Sequence, residues 1–331
     1  MLKTAVFATI LCMIRWSLFV LFIPLFGFSL KEKCAQGQKG DYIIYQEGHQ
    51  YIFLSIYDKC DRSILFEQIH TLDSNENIFE NNLPLWIQQG AKGASQWILY
   101  EIDLQNGEVL EAFSPLKRGF LHFESDPLLI SKMFQINFDM VDENHRKLVP
   151  KTKKVWSPPK KNGDKLIEIE KSILLRSYWP KDDSLMSDLR LDLHFDPANH
   201  SPFPYMIDVQ NRIKPLARFH QVFEGQSIKG VAPYFPRRQP QLQDKIVKKG
   251  PFLFTKIYCQ KGFIPFELYL HNLTTKKTVP VHFQMDHKNG FYELKIDIPP
   301  QIDVNGEYIL EGKSLGIHPC RFDSIDIFEL N

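Results

Sequence analysis

The sequence predicts a mainly β protein: an N-terminal curved antiparallel sheet or half-barrel domain with one or two short helices, followed by a small C-terminal immunoglobulin-like β-sandwich. Three observations predict it. Runs rich in Ile, Phe, Tyr and Val alternate apolar with polar residues along most of the chain, which is the period of a half-buried strand. Asn-Gly pairs at 106–107 and 289–290, with another at 305–306, supply the positive φ that tight hairpin connections demand. The composition, 44% hydrophobic, 13% aromatic and 24% charged over 331 residues, allows roughly two domains with sizeable cores and excludes disorder, collagen and coiled coil.

The first element is an apolar segment. Residues 16–30 carry no charge and are flanked by Arg15 and by Lys31-Glu32-Lys33. Fifteen helical residues reach ~22 Å, short of the ~30 Å hydrocarbon layer, so the segment reads as an export signal. Gly27 and Ser29 set small residues at the positions that cleavage after Ser29 requires. Left uncleaved, residues 5–30 would be an N-terminal anchor and the one contact with a membrane. Loss of the signal leaves Cys34, Cys60, Cys259 and Cys320, an even count that suits an oxidising compartment. The pairing that respects sequence locality joins Cys34 to Cys60 and Cys259 to Cys320, against the alternative of four free thiols.

Residues 34–230 form the expected first domain. Strands fall at 41–46, 50–57, 63–71, 96–104 and 108–114, and Asn106-Gly107 is placed in a two-residue turn between the last two. On 97–104, Ile98, Tyr100, Ile102 and Leu104 share the core face, and Trp97, Leu99, Glu101 and Asp103 the other. Short helices are expected at 83–89 and at 127–134, the second with Asp126 as cap and Pro127 at its first position. Residues 145–164 read as a basic, Pro-rich loop outside the core. Strands at 165–177, 188–195 and 203–210 complete the sheet. The Pro- and charge-rich stretch 231–251 reads as an interdomain linker, and 252–331 as the sandwich, with six strands separated at regular intervals by turns. The Cys-Trp-Cys hallmark of antibody domains is missing, since no Trp follows Trp179. The strand order of the first domain, including the strand and turn 100–107, is similar to that of envelope proteins built on a curved β half-barrel that cradles an acyl chain.

Net charge is +1, yet residues 41–143 hold 6 basic and 17 acidic residues while 144–249 hold 21 and 11. Such a division means either two surfaces that face each other within the molecule or a basic face that meets an anionic partner. The candidate basic face is Lys151, Lys153, Lys154, Lys160, Lys161, Arg237 and Arg238. Export argues against nucleic acid, which leaves an anionic lipid or glycan surface, or a protein partner.

The densest polar cluster is 190–200. Strand alternation puts Asp192, His194 and Asp196 on one face, opposite Leu191, Leu193 and Phe195. Carboxylate and imidazole are the groups of general acid–base work and, with His200, of divalent metal binding; the plainer alternative is a solvated strand face. No Gly-x-Ser-x-Gly, His-Glu-x-x-His, Walker or Gly-x-Gly-x-x-Gly pattern occurs, and no cofactor is expected. The reading is an exported, non-enzymatic, envelope-associated binding or interaction protein, periplasmic or extracellular, with an apolar or anionic ligand. An exported hydrolase using Asp192, His194 and Asp196, or a structural adhesion module, are the alternatives.

Overall fold

A computed structural model of the chain describes residues 29–330, other than 77, 79–81, 122–128, 151, 183–185, 212–213, 244, 289 and 325. The expected signal or anchor, the helix start at Asp126 and Pro127, Lys151 and the Asn289 turn residue therefore lie outside the described residues.

The chain enters the fold through helix α1 (Leu30–Gln36). Ser29 Oγ accepts from the Glu32 N–H at 3.0 Å and the Glu32 carboxylate accepts from the Ser29 N–H, a reciprocal cap that satisfies two otherwise orphaned donors. Ser29, expected at the end of the signal, is thus the residue that caps α1. Leu30 and Cys34 face the core.

Eleven antiparallel strands follow in one sheet. They are β1 (Tyr42–Glu47), β2 (Gln50–Lys59), β3 (Ser63–Leu72), β4 (Gln96–Asp103), β5 (Val109–Ser114), β6 (Gly119–Phe120), β7 (Asp139–Met140), β10 (Ile173–Tyr178), β11 (Arg190–Phe195), β12 (Met206–Gln210) and β13 (Pro215–Gly225). Strands β8 (Lys160–Asn162) and β9 (Lys165–Ile167) make a separate ribbon, and helices α2 (Leu83–Gln88) and α3 (Leu129–Gln135) complete the domain. The spatial order is β6-β5-β4-β3-β2-β1-β13-β12-β11-β10-β7. Four steps at ~4.8 Å would put β3 and β12 roughly 19 Å apart on a flat sheet. Yet the ring of Phe66 on β3 lies 6.3 Å from Phe203, just before β12. The sheet is therefore wrapped about its core, and irregular register at Ile44/Tyr45, Ile56/Asp58, Glu101/Ile102 and Val209/Gln210 marks where strands bend. Both edges end in two-residue strands, β6 and β7, too short to recruit another chain. Inside lie Ile43, Ile56, Phe66, Tyr100, Leu193 and Val209 with Met133 and Phe134 of α3; α2 covers the opposite face through Trp86 and Ile87.

The hairpin at 103–109 differs from the expected two-residue turn. Asp103 and Glu108 close a four-residue loop, because Asp103 Oδ1 accepts from the Gln105 N–H and Asn106 Oδ1 from the Glu108 N–H. Gly107, at φ +75°, packs so closely on Phe134 that a Cβ would lie 2.9 Å from its backbone. Its carbonyl accepts from Ser131 Oγ and Gln135 Nε2, which fixes α3.

The second domain has two facing sheets. One is β14 (Gln241–Leu242), β16 (Phe252–Tyr258), β20 (Phe291–Asp297) and β19 (Phe283–Lys288), with β15 (Val247–Lys249) also on β16. The other is β18 (Thr278–Val281), β17 (Phe266–Asn272), β21 (Glu307–Ser314) and β22 (Arg321–Asp323), with β23 (Phe328–Glu329) on β21. In chain order this is the A-B-E-D and C′-C-F-G arrangement of an immunoglobulin-like sandwich. The antibody Trp is replaced by a phenylalanine cluster, with Phe266 stacked on Phe283 at 5.3 Å and edge-on to Phe322 at 5.7 Å.

The expected linker needs correction. Strands β14 and β15 within it each pair with β16 of the sandwich, and residues 231–238 are a strap across the outer face of β3, β4 and β5. Val231 and Ala232 donate their backbone N–H to Glu67 at 2.9 and 2.8 Å. At Gly230 the strap passes where any Cβ would meet the Tyr57 ring and the Glu67 carboxylate.

Candidate functional site

The expected polar strand face is not solvated. Asp192 and His194 are 4% and 3% exposed: Arg176 and Arg190 lie against the Asp192 carboxylate, and the rings of Trp156 and Tyr205 flank the His194 imidazole. Asp192 receives both arms of Arg176, at 2.7 and 2.8 Å. His194 Nδ1 faces Ser172 Oγ at 3.2 Å, and that oxygen accepts from Arg146 at 2.8 Å. Burial lowers the His194 imidazole to about 4, so it is neutral at physiological pH. Asp196 pairs with Lys160 at 3.1 Å. The three residues thus enter separate structural contacts rather than one cluster, and the Asp192 carboxylate faces a guanidinium rather than the imidazole. His200 is exposed in the loop beyond. Among the described residues no three His, Cys, Asp or Glu side chains are grouped to hold a metal ion.

The basic residues divide. Lys153, Lys154 and Lys161 are exposed, with Lys154 3.6 Å from Glu170. Lys160 is 4% exposed and bridges Asp196 and Glu224, so it is an internal ion pair and is removed from the candidate surface. Arg237 donates to both oxygens of Glu101. The Arg238 guanidinium lies 4.0 Å from the rings of both Phe120 and Tyr258, a doubly stacked cation. These two arginines face inward across the domain junction.

The expected disulfides are not formed; all four cysteines are thiols. Cys34 is enclosed in the first core with its Sγ 3.6 Å from the Pro202 carbonyl, while Cys60 is exposed beside Ser63. Burial pushes the Cys34 thiol up and Cys259 to about 12, the latter with a further contribution from nearby Cys320.

Sequence reasoning missed two features. The first is an apolar cavity of about 220 Å³ between the wrapped sheet and helices α1 and α3, walled by Leu30, Ile52, Leu54, Met133, Ile207 and Phe219. Its polar wall is Gln68, which lies 2.6 Å from His70 and accepts from Tyr100 Oη at 2.9 Å. Burial lowers His70 to about 4 and keeps it uncharged. The second is a row of buried carboxylates on the outer face of β3, β4 and β5. Glu67 and Glu101 are 0% and 2% exposed and Glu111 is 8% exposed. Glu101 accepts from Ser63 at 2.5 Å and lies 3.0 Å from His318 Nε2 of the second domain. Only the acid-then-basic charge division hinted at this row; the cavity left no local signal.

A family profile described as CT021 protein matches residues 52–167, from β2 to β9. The 2.0 Å structure of the hypothetical protein CT021 from Chlamydia trachomatis is similar at 18% identity, covering 64% of this chain and 98% of that one with a TM-score of 0.48. No curated protein matches the chain. Among the described residues no helix is long and apolar enough to cross a membrane.

Proposed function

We propose that this is an exported, non-enzymatic binding protein of a cell envelope, whose first domain takes the end of an acyl chain into the cavity between the wrapped sheet and helices α1 and α3. The observation that carries this reading is the cavity itself. Its 220 Å³ exceeds the ~150 Å³ that holds a benzene ring in an engineered apolar void, and falls below the ~300 Å³ of the smallest usual whole-ligand site. A chain end fits and a whole lipid does not. The neutral Gln68 and His70 wall offers hydrogen bonds without a charge, which suits an ester or amide near the buried chain better than a free carboxylate. Export rests on the uncharged run 16–30 and its small-residue cleavage pattern.

Organic extraction of the purified full chain followed by mass spectrometry tests the reading. An acyl lipid is expected at near one equivalent, and Ile52→Phe or Leu54→Phe, which fill the cavity, should remove it without unfolding the protein. Extracts that hold no lipid, or the same lipid in both filled variants, would overturn it.

A further inference from the structure

The junction of the two domains encloses a cleft of about 300 Å³, with Glu111 of β5 and Gln135 of α3 on one side and Tyr258, Gln260 and Tyr292 on the other. Glu111 and Gln260 are 8% and 7% exposed. Glu111 Oε2 and Gln260 Nε2 are buried and have no hydrogen-bond partner. Proteins satisfy nearly all such groups, so two unsatisfied ones on residues that line the same cleft mark a place prepared for something else.

Charge narrows what that is. Lys261 lines the cleft, held 3.1 Å from Glu108, and Arg238 lies against the Tyr258 ring. The lining thus carries both signs, Lys261 against Glu108 and Glu111 with Arg238 behind the Tyr258 ring, and the Lys261–Glu108 pair already satisfies two of these charges. Burial pushes Glu111 up to about 8 against the pull of Arg238 and Arg237, and the same desolvation penalises any uncompensated charge brought in. A hydroxyl group brings no such charge. It donates to a carboxylate, accepts from a protonated carboxyl, and accepts from an amide N–H.

We propose that this interdomain cleft binds a neutral sugar unit, with ligand hydroxyls on Glu111 Oε2 and Gln260 Nε2 and the rings of Tyr258 and Tyr292 along its C–H surfaces. The cleft volume suits one ring with its substituents. The site is separate from the apolar cavity, so the two can fail independently.

The test is calorimetric titration and saturation-transfer NMR of the full chain with glucose, galactose, mannose and N-acetylglucosamine, and with ethylammonium and acetate as charged probes. Glu111→Leu and Gln260→Leu each remove an unpartnered polar atom and should leave folding intact. At least one sugar is expected to bind, about tenfold or more weakly in either variant, and unchanged in Ile52→Phe. Absence of sugar binding, wild-type affinity retained in both leucine variants, or preference for a charged probe overturns the proposal.

Discussion

Glu67, Glu101 and Glu111 occupy one strip of the sheet, and burial acts on all three to favour the protonated form. Their partners separate them. Burial raises Glu67 against hydrogen bonds from Ala232, Val231 and Trp97. Glu101 overcomes burial through hydrogen bonds from His318, Arg237 and Ser63 and lies at about 2. Glu111 has only distant arginines to offset burial, with Glu101 adding to the rise, and lies at about 8. The two extremes act on stability with opposite sign. Between pH 4.5 and 8 the folded protein keeps the Glu111 proton that the unfolded chain has lost, so stability falls as pH rises through that window and levels above it. Glu101 contributes stability above about pH 4.5 that is lost as pH falls toward 2, outside that window. Denaturant melts at half-unit steps from pH 5 to 8 should show Glu111→Gln gaining on the wild type by about 3 kcal/mol across the range. Parallel curves for the two proteins would show that Glu111 is ionised in the fold.

Elements differ in how far neighbours in sequence determine them. On β4 the alternation placed Ile98, Tyr100 and Ile102 inward, as found, but the outer face is also buried, Leu99 at 0% and Glu101 at 2%. Its cover comes from Arg237, 136 residues away, and no local pattern encodes so distant a lid. The same cause hid the burial of His194 beside Trp156, in a part of the chain where lysine and proline density reads as solvated loop although Arg146 and Lys160 are buried. At 231–251 the strands have two and three residues, too short to show a period of two. Leu242 nonetheless belongs to the sandwich core at 6% exposed. Leu242→Ala should therefore cost about 2–4 kcal/mol in the unfolding of the second domain, against less than ~0.5 for Gln243→Ala beside it. A linker would be indifferent to both, and equal melting of the two variants would return 241–249 to that role.

At the scale of the whole molecule, the acidic first sheet and the basic middle of the chain meet each other across the domain junction. Glu101 takes Arg237 from the strap and His318 from the sandwich, Lys261 reaches Glu108, and Arg238 lies between Phe120 of the first sheet and Tyr258 of the second. Only one of these carboxylates is deeply buried, so the junction should depend unequally on its charges. Lys261 and Glu108 are about half exposed, and such pairs contribute ~0–1 kcal/mol. Glu101 is different, since removing Arg237 leaves a buried carboxylate with only His318 and Ser63. Arg237→Ala should cost about 3 kcal/mol and, by loosening the shared contact, split calorimetric unfolding into separate steps for the two domains. Replacing the carboxylate as well removes the uncompensated charge. The double variant Arg237→Ala, Glu101→Gln should then recover about 1 kcal/mol or more relative to Arg237→Ala alone, whereas independent sites would make it worse. A calorimetric cycle of the four proteins decides between them, and strict additivity would mean that the two charges do not hold the domains together.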